Sequence, residues 1–437
     1  MGNKGKLSRQ SIILGLWHAE NNLQGGRACV GGKVERMEKG KQFVCVAGKN
    51  DIAVNALWQL LKLGGDYGLG VVCNRTETGV NSFQKSLRWF AGRHGVREYA
   101  LEDLYGMDNL VFLSMEFDRL VKPGNFKDAR LYNIHFSLLP KYKGMYTSAL
   151  PILNGESESG VTLHRIDAGI DTGGVIDQEA FPIGGMDCRE VYLSYIRHGT
   201  EVVARNIRAI LEGRERACPQ PALGSTYYPR GCIDYGSVKI DLNQTAEGVS
   251  RQIRAFGFRE YQLPKVNGKP IIDSCFTGIR SGQKPGTVLM ENGNACIVST
   301  VDYNIILYYD RLEELLGYCR EGDIGGVHDV CAVKKHVNAA GCHGWTPLMV
   351  SAYYNQIETV KFLLAQGADI HAVNHNGTTL LMYAKEAYRK TGDDTLFSLF
   401  LFLGADMSVK DYNGLTLQDY CAKEGIRNIG PYMVCTP

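Results

Sequence analysis

The sequence predicts an α/β fold: a doubly wound parallel sheet, joined to a small mixed accessory region and a C-terminal array of α-helical repeats. Two observations predict it. Short apolar runs alternate with helical patterns between residues 42 and 114, as strands and helices do in a parallel sheet. A turn motif that begins at Gly344 recurs after 33 and then 37 further residues, which indicates stacked helical repeats.

The first elements follow from the spacing of apolar residues. Strands are predicted at Phe43–Ala47, Leu69–Asn74 and Leu110–Ser114, and helices at Ile52–Lys62 and Ser82–Gly95. Asn50 or Asp51 is the expected cap of the first helix, because short polar side chains satisfy free N–H groups there. Ligands of such sheets bind beyond the carboxyl ends of the strands, so the site is expected at that edge.

The middle of the chain changes character. A long helical pattern covers residues 187–212, and strand-like stretches follow at Ala295–Thr300 and Asn304–Tyr309. We interpret the segment from about residue 220 to 312 as a smaller region that closes over the site.

The C-terminal part repeats itself. The run GWTPL at residue 344 returns as GTTLL at 377 and as GLTLQ at 414, and GAD at 367 returns at 404. A period near 33 residues with the T-P-L turn is the signature of ankyrin repeats, in which each unit is a turn followed by two helices. A degenerate earlier repeat is predicted from about Leu312.

Composition narrows the class of protein. Lys and Arg number 48 against 46 Asp and Glu, a balance that does not favour nucleic-acid or membrane partners. The 13 cysteines include no C-x-x-C pair, which argues against a disulfide framework and a zinc ribbon, so no metal is expected. Free thiols and the lack of an apolar run near 20 residues favour a cytoplasmic protein.

Two segments carry residues suited to chemistry. They are LYNIHFSLLP at 131–140 and GVTLHRIDAGIDTG at 160–173. In an extended strand Asn133 and His135 point to the same face. An Asn amide can donate to a developing oxyanion, a His can move protons near neutral pH, and Asp171 can orient that His. His164 lies on a similar run, and spacing alone does not choose between the two histidines.

These motifs resemble the folate-dependent formyltransferases. N-x-H-x-S-L-L-P and the later D-x-G-x-D-T-G together are specific, and the resemblance spans about residues 42–230. It implies that Asn133, His135 and Asp171 form the family's catalytic triad, with N10-formyltetrahydrofolate as formyl donor. Phe136 departs from the family, where many members carry Pro.

The resemblance also implies where the ligands bind. The pterin of the folate is expected between two loops, with the candidate residues Ser114, Met115, Glu116, Phe117, Asp167 and Ile170. The aromatic and basic residues expected to hold a nucleotide-linked sugar are Lys141, Tyr142, Lys143, Arg254, Phe256, Arg259 and Tyr261. Together with the ankyrin tail, they resemble the branch that formylates a dTDP-linked 3-amino-3,6-dideoxyhexose for bacterial O-antigen synthesis.

The resulting domain prediction has four parts. Residues 1–40 are expected to be a disordered extension, 41–220 the catalytic domain, 221–312 an accessory region for substrate binding or dimerisation, and 313–437 the ankyrin repeats. A homodimer is expected from the resemblance. Two other functions stay open: a methionyl-tRNA formyltransferase, and an ankyrin scaffold protein with an inactive formyltransferase domain.

The ankyrin tail raises a separate hypothesis at Trp345. The second position of the G-x-T-P-L turn generally faces solvent, and aromatic rings there stack well on nucleobases. We therefore expect a second nucleotide-sugar at Trp345, with two alternatives: a protein partner, or packing of Trp345 against the catalytic domain.

Overall fold

A computed structural model describes residues 40–435; the predicted N-terminal extension lies outside this range except for Gly40. Its strands are β1 (Gln42–Gly48), β2 (Tyr67–Cys73), β3 (Arg97–Glu98), β4 (Leu110–Met115), β5 (Ala129–His135), β6 (Lys143–Gly144), β7 (Glu158–Arg165), β8 (Val175–Pro182), β9 (Tyr227–Tyr228), β10 (Lys265–Val266), β11 (Lys269–Arg280), β12 (Val288–Glu291), β13 (Ala295–Ser299), β14 (Tyr303–Tyr309), β15 (Asn428–Ile429) and β16 (Tyr432–Met433).

The α-helices connect and cover these strands. They are α1 (Asn50–Leu63), α2 (Leu87–Arg93), α3 (Leu150–Leu153), α4 (Cys188–Leu211), α5 (Ala246–Phe256), α6 (Leu312–Glu321), α7 (Ile324–Cys331), α8 (Pro347–Tyr353), α9 (Ile357–Ala365), α10 (Leu380–Thr391), α11 (Thr395–Phe402) and α12 (Leu417–Glu424). Among the described residues, no helix combines the length and apolar character needed to cross a membrane.

The larger sheet has seven strands in the order β3-β2-β1-β4-β5-β7-β8. The pairings from β3 to β5 are parallel, as predicted, and the central strands β1 and β4 are buried on both faces. The α/β prediction is thus confirmed, but the sheet is not parallel throughout. β5–β7 and β7–β8 pair antiparallel. The loop over residues 166–174 that joins β7 to β8 is shorter than the crossover that a parallel pair needs.

The two faces of this sheet are covered differently. Helices α1, α2 and α4 bury their apolar sides against one face, together with Val44, Val71 and Ile134. Phe43, Phe112 and Leu131 on the opposite face pack against loops and a short 3-10 turn. We call these the helical face and the loop face.

Helix ends show where local sequence rules succeed and fail. Asp187 caps α4 and forms a capping box with Glu190, as the Asp-x-x-Glu spacing predicts. The predicted cap of α1 is wrong. Lys49 occupies that position without a side-chain hydrogen bond, and Asn50 is the first helical residue.

A second sheet lies in the accessory region. Its strand order is β10-β11-β14-β13-β12, and every pairing is antiparallel. Helix α5 packs on one face around Val249, Ile253 and Leu307. The sheet and this helix cover residues 246–309 and so lie within the segment for which the sequence predicts a smaller mixed region.

Helices α6–α12 form the repeats around one continuous apolar core. The G-x-T turns hold Gly344, Gly377 and Gly414 at positive φ of 77°, 78° and 81°, which explains the glycine at each. At Gly344 and Gly377 an added Cβ would also meet the backbone of the next turn at 2.8 Å. The 33- and 37-residue spacings of these turns thus follow from turn chemistry and stacking rather than from the helices alone.

Candidate active site

Strand β5 delivers two of the predicted catalytic side chains to the carboxyl edge of the sheet. His135 is its last residue, and Ile134 points into the core of the helical face. By strand alternation Asn133 and His135 therefore project toward the loop face. His135 is 8% exposed, so its ring is largely shielded from water.

Asp171 reaches the same place from the loop between β7 and β8. Its Oδ2 lies 3.5 Å from Nδ1 of His135 and accepts a hydrogen bond from the N–H of Gly144 at 2.9 Å. Asp171 has a positive φ of 54°, and Gln220 donates to its carbonyl oxygen at 2.8 Å. The loop is thus held in a conformation that turns the carboxylate toward His135.

The hydrogen bonds of His135 define its basic nitrogen. Nε2 lies 2.8 Å from the carbonyl oxygen of Tyr142, which can only accept a hydrogen bond. Nε2 therefore carries the proton, and Nδ1 of the neutral ring is unprotonated and faces Asp171. A proton taken up at Nδ1 would lie beside a carboxylate.

His164 sits across the strand pair from Asn133 and takes a different role. Its Nδ1 donates to the carbonyl oxygen of Arg165 at 2.8 Å, so Nε2 accepts from the Asn133 amide at 3.1 Å. The amide keeps a second N–H for a ligand. Nε2 of His164 is also 3.7 Å from Oδ1 of Asp171. His164 thus holds the Asn133 amide, a contact that spacing did not reveal.

Burial and charge set the ionisation of the pair. Burial lowers the pKa of His135 below its usual value, and the nearby Asp171 opposes that shift. Burial alone would raise the pKa of Asp171, but His135, His164 and the Gly144 N–H together lower it to about 2. Near neutral pH the site therefore holds a neutral imidazole beside a carboxylate.

Five of the six candidate folate residues fall into three groups. Met115 is fully buried in the core and Ser114 nearly so, which leaves their backbone groups as ligands. Phe117 packs on Phe112 at the loop face, and Ile170 is 39% exposed. The Asp167 carboxylate accepts from Gly169 and Thr172 within its own loop.

Glu116, the remaining candidate, turns to the other face. Its side chain contacts Asn50 at the start of α1 and Tyr192 of α4. The sequence did not identify Asn50 or Tyr192 as part of the site. Their involvement depends on a tertiary contact and on the positive φ of 57° at Glu116.

The candidate sugar and phosphate residues are more dispersed. Lys141 approaches Glu156 at 3.4 Å, and Lys143 donates to Ser225 at 3.2 Å. The Tyr142 ring is buried and stacks on Tyr228, so its carbonyl group serves the site through His135. Phe256 is buried, whereas Tyr261 is 58% exposed.

The two candidate arginines differ. Arg254 lines a cavity of about 150 Å³ with Arg251, Glu156 and Glu247. Arg259 makes two hydrogen bonds of 2.8 and 2.7 Å to Asp310. Its guanidinium thus already holds a partly buried carboxylate, which argues against the predicted phosphate contact.

Trp345 is half-buried rather than solvent-facing. Its ring packs within the repeats, with centroid distances of 5.4 Å to Tyr353 and 4.6 Å to Tyr383. Lys390 lies 3.6 Å from the centre of the Tyr353 ring. This arrangement places an aromatic surface and a cation together, and it differs from packing against the catalytic domain.

One group of described side chains outside this site has metal-ligand spacing: Glu179, His198 and Glu201. Arg205 pairs with Glu179, and Arg197 lies 3.0 Å from Nε2 of His198. We interpret the group as an ion-pair network.

Comparison with known proteins defines the class. A formyl transferase family model matches residues 118–202, which include all three triad positions, and a model of three ankyrin repeats matches residues 312–411. The chain is 41% identical to WlaRD, a sugar 3N-formyl transferase crystallised with dTDP and 5-N-formyl-THF. That match covers 62% of this chain and 98% of WlaRD, with a TM-score of 0.57. The chain belongs to the formyltransferase family.

Two further relatives bracket its place in that family. An N-formyltransferase from Helicobacter canadensis, crystallised with folinic acid and dTDP-3-aminofucose, is 40% identical with a TM-score of 0.57. That match covers 61% of this chain and 99% of the other. Methionyl-tRNA formyltransferase of Aromatoleum aromaticum is 30% identical over 168 residues, or 38% of this chain and 52% of that enzyme. The chain spans about half the length of the curated relatives it matches.

Proposed function

We propose that the protein moves a formyl group from N10-formyltetrahydrofolate to the amine of a dTDP-linked amino-dideoxyhexose, with the 3-amino sugar as substrate. The observation that carries the proposal is the grouping of Asn133, His135 and Asp171 at one sheet edge. The similarity to WlaRD, which extends over nearly all of that enzyme, supports the sugar branch.

The residues of this chain suit a proton-coupled acyl transfer. The sugar amine forms a bond to the formyl carbon, the bond from that carbon to the folate nitrogen breaks, and the amine proton passes to that nitrogen. Nδ1 of His135 would take and return this proton, with Asp171 stabilising the charged ring. The free N–H of Asn133 would donate to the formyl oxygen as negative charge develops on it.

The loop face suits the folate. Phe117 and the exposed Ile170 offer apolar surface on the same face as the triad, and the backbone of Ser114 and Met115 supplies polar groups. The folate supplies the activated formyl group. Asp167 would act by holding the loop that carries Ile170 and Asp171.

The phosphates would bind where basic side chains meet the substrate. Lys141, Lys143 and Arg254 are the candidates there, and Tyr261 offers an exposed ring for the base. The homodimer, a cytoplasmic location and a role in O-antigen synthesis are further parts of this proposal. The free thiols of the described cysteines are compatible with a reducing compartment.

A panel of acceptors tests the proposal. Purified protein with N10-formyltetrahydrofolate is incubated with dTDP-linked 3-amino and 4-amino sugars and, in parallel, with charged initiator tRNA. We expect the mass increase of one formyl group on the 3-amino sugar. Formylation of the tRNA alone would favour the methionyl-tRNA alternative, and no turnover of any acceptor would favour the scaffold alternative.

A further inference from the structure

A polar cluster that the triad does not use lies at the carboxyl edge of the sheet. Oε2 of Glu116 accepts hydrogen bonds from Tyr192 at 2.8 Å and from Asn50 at 3.3 Å, and the Asn50 amide also donates to the Tyr192 hydroxyl at 2.9 Å. Asn50 and Glu116 both have positive φ, 64° and 57°. Two left-handed backbone conformations thus converge on one carboxylate, and the one at Glu116 is unfavourable for its residue type.

This cluster adjoins the triad. β4 pairs with β5 so that Met115 lies opposite Ile134, which puts Glu116 at the level of His135 on the neighbouring strand. Phe136, the residue after His135, packs against the ring of Tyr192 with centroids 6.1 Å apart. A ligand at His135 that extends toward the helical face therefore meets Glu116.

One oxygen of this carboxylate is unused. No described residue donates a hydrogen bond to Oε1 of Glu116, and that atom is not shut off from solvent. Burial raises the pKa of Glu116 to about 7, against the lowering effects of Lys49, Tyr192 and Asn50. Burying a carboxylate costs desolvation free energy. A partly buried carboxylate with one oxygen free to accept a hydrogen bond therefore indicates a binding site for a hydrogen-bond donor.

Aromatic rings wall the same space. The ring centroid of Phe83 lies 5.7 Å from those of both Phe258 and Tyr261. The centroid of Phe258 lies 5.5 Å from that of Tyr192 and 4.7 Å from that of Tyr261. The exposed Tyr261 carries this wall from the buried Tyr192 out to solvent. Apolar ring faces beside one well-held acceptor suit a sugar, which has both C–H faces and hydroxyl groups.

We propose that Glu116, held by Asn50 and Tyr192, accepts a hydrogen bond from a hydroxyl group next to the reacting amine and thereby selects the sugar; this rests on the proposed function. The amine itself belongs at Nδ1 of His135, so the donor left for Glu116 is a neighbouring hydroxyl on the same ring. The proposal moves the Glu116 side chain from the folate site, where the resemblance put it, to the sugar site. Its contacts on α1 and α4, at the helical face, support that change.

The test compares Glu116→Gln with the wild type on three acceptors. These are the dTDP-amino sugar that the wild type formylates best and two analogues, each lacking one hydroxyl next to the amine. We expect the KM for the parent sugar to rise about 10- to 100-fold, the scale of a hydrogen bond to a charged group. For the analogue that lacks the hydroxyl bound by Glu116, wild type and variant should have similar KM values. The KM for the folate should not change.

Two variants serve as controls. Tyr192→Phe keeps the ring against Phe136 and removes the hydroxyl that holds Glu116, so a smaller rise in the sugar KM is expected. Glu102→Gln changes an exposed glutamate that pairs with Arg119, and it should leave all constants unchanged.

The outcomes separate two failures. An equal rise in KM for all three acceptors, or a rise confined to the KM for the folate, would overturn the role of Glu116 while leaving the proposed function intact. A wild type that formylates no amino sugar would instead overturn the proposed function. Thermal unfolding of Glu116→Gln checks that the variant is folded, and a folded variant with an unchanged sugar KM also overturns the proposal.

Discussion

His135 has one nitrogen available for chemistry, and the fold decides which one. The Tyr142 carbonyl accepts a hydrogen bond from Nε2–H, so the lone pair of Nδ1 faces the Asp171 carboxylate at 3.5 Å. That distance is long for a hydrogen bond. Catalytic contacts often tighten only when a ligand binds, and a proton arriving at Nδ1 would supply the attraction that draws the two groups together.

Replacing His135 should therefore remove proton transfer and little else. His135→Asn is expected to lower kcat about 100-fold or more, the scale of general acid–base catalysis, with the KM for the sugar nearly unchanged. Steady-state kinetics with both substrates varied measures the two constants separately.

Variants of His164 and His371 serve as comparisons for this experiment. His164→Leu removes the acceptor that orients Asn133 and should lower kcat less than His135→Asn does. His371 is exposed in the repeats, so His371→Asn should behave as the wild type. A His135→Asn enzyme with near-normal turnover would contradict the assignment, and a larger loss in His164→Leu would exchange the roles of the two histidines.

The ionisation of His135 gives a signed pH prediction. Burial lowers its pKa and the Asp171 charge partly restores it, so the acid limb of kcat should lie below the ordinary histidine value of about 6.5. Asp171→Asn removes the charge that raises the pKa, so in that variant His135 should titrate at still lower pH. NMR titration with labelled histidine follows the ring directly. An upward shift in Asp171→Asn would show that this electrostatic account is wrong.

Side-chain function was predictable where local geometry decides it. Strand alternation was enough to put Asn133 and His135 on one face, and the Gly-rich loop marked Asp171. Strand alternation did not show that His164 accepts a hydrogen bond from Asn133, because that contact depends on the β5–β7 register. The turn of Glu116 toward Tyr192 depends on one backbone angle and on a helix 76 residues away, which no local pattern encodes.

At the scale of elements, Asp310 joins three segments. It accepts two hydrogen bonds from Arg259 and one from the N–H of Leu312, the first residue of α6, and it lies 3.5 Å from Nε2 of His336. The side chains of Arg259 and Asp310 are only 19% and 18% exposed. Removing one partner of such a pair leaves a poorly solvated charge.

Arg259→Gln is consequently a stability variant. It should lower the free energy of unfolding by about 3 kcal/mol, the scale expected when one partner of a buried ion pair is removed. The thermal unfolding midpoint should fall accordingly. The sugar KM of the folded enzyme should not change. Arg254→Gln is the matched comparison, and it should raise the sugar KM about 10-fold by removing a charged donor. A raised sugar KM in Arg259→Gln at unchanged stability would restore the phosphate role that the sequence suggested.

Element prediction succeeded where apolar periodicity is strong. β1, β4 and α4 match their predicted segments within a few residues. The predicted helix at Ser82–Gly95 shrinks to α2, because Ser86 is its cap and residues 82–85 form a loop. The antiparallel direction of β7 and β8 was not predictable from their composition, since strand direction is set by connections and pairing rather than by residue preference.

At the scale of the whole molecule, the repeats touch the catalytic region at several points. Lys335 pairs with Asp187 at 2.7 Å, and Arg93 donates to the carbonyl oxygen of Asn413 at 2.8 Å. These contacts hold the repeats against the catalytic region, and neither of them involves Trp345 or Tyr353.

The second nucleotide site is therefore retained as a prediction, with changed geometry. A base would stack on the half-buried Trp345 and Tyr353, and Lys390 would meet a phosphate. Trp345→Ala should abolish a second, weaker binding event in calorimetry with the dTDP-sugar and leave the catalytic site intact. One site per chain in the wild type, unchanged in the variant, would rule the site out. Binding of a protein at Trp345 remains the alternative, and a pull-down with the same variant addresses it.

The outer face of the accessory sheet offers a surface for the predicted homodimer. Cys275 pairs with Ile306, Ile306 with Ile297, and Ile297 with Met290, so these four side chains form one row across four strands. Residues directly opposite each other share a face. Met290 is 64% exposed at the edge strand β12, where an unpaired strand also presents free backbone groups.

An apolar row on an edge strand is suited to a second copy of the chain, because two such faces related by a twofold axis bury each other. Ile297→Glu places a charge at the centre of the row and should convert the dimer to a monomer without unfolding the sheet, since Ile297 is already partly exposed. Val301→Glu, in the exposed β13–β14 turn and outside the row, is the control that should remain dimeric. Sedimentation velocity measures both. A wild-type monomer would contradict the dimer itself, whereas a dimeric Ile297→Glu would move the interface to another surface.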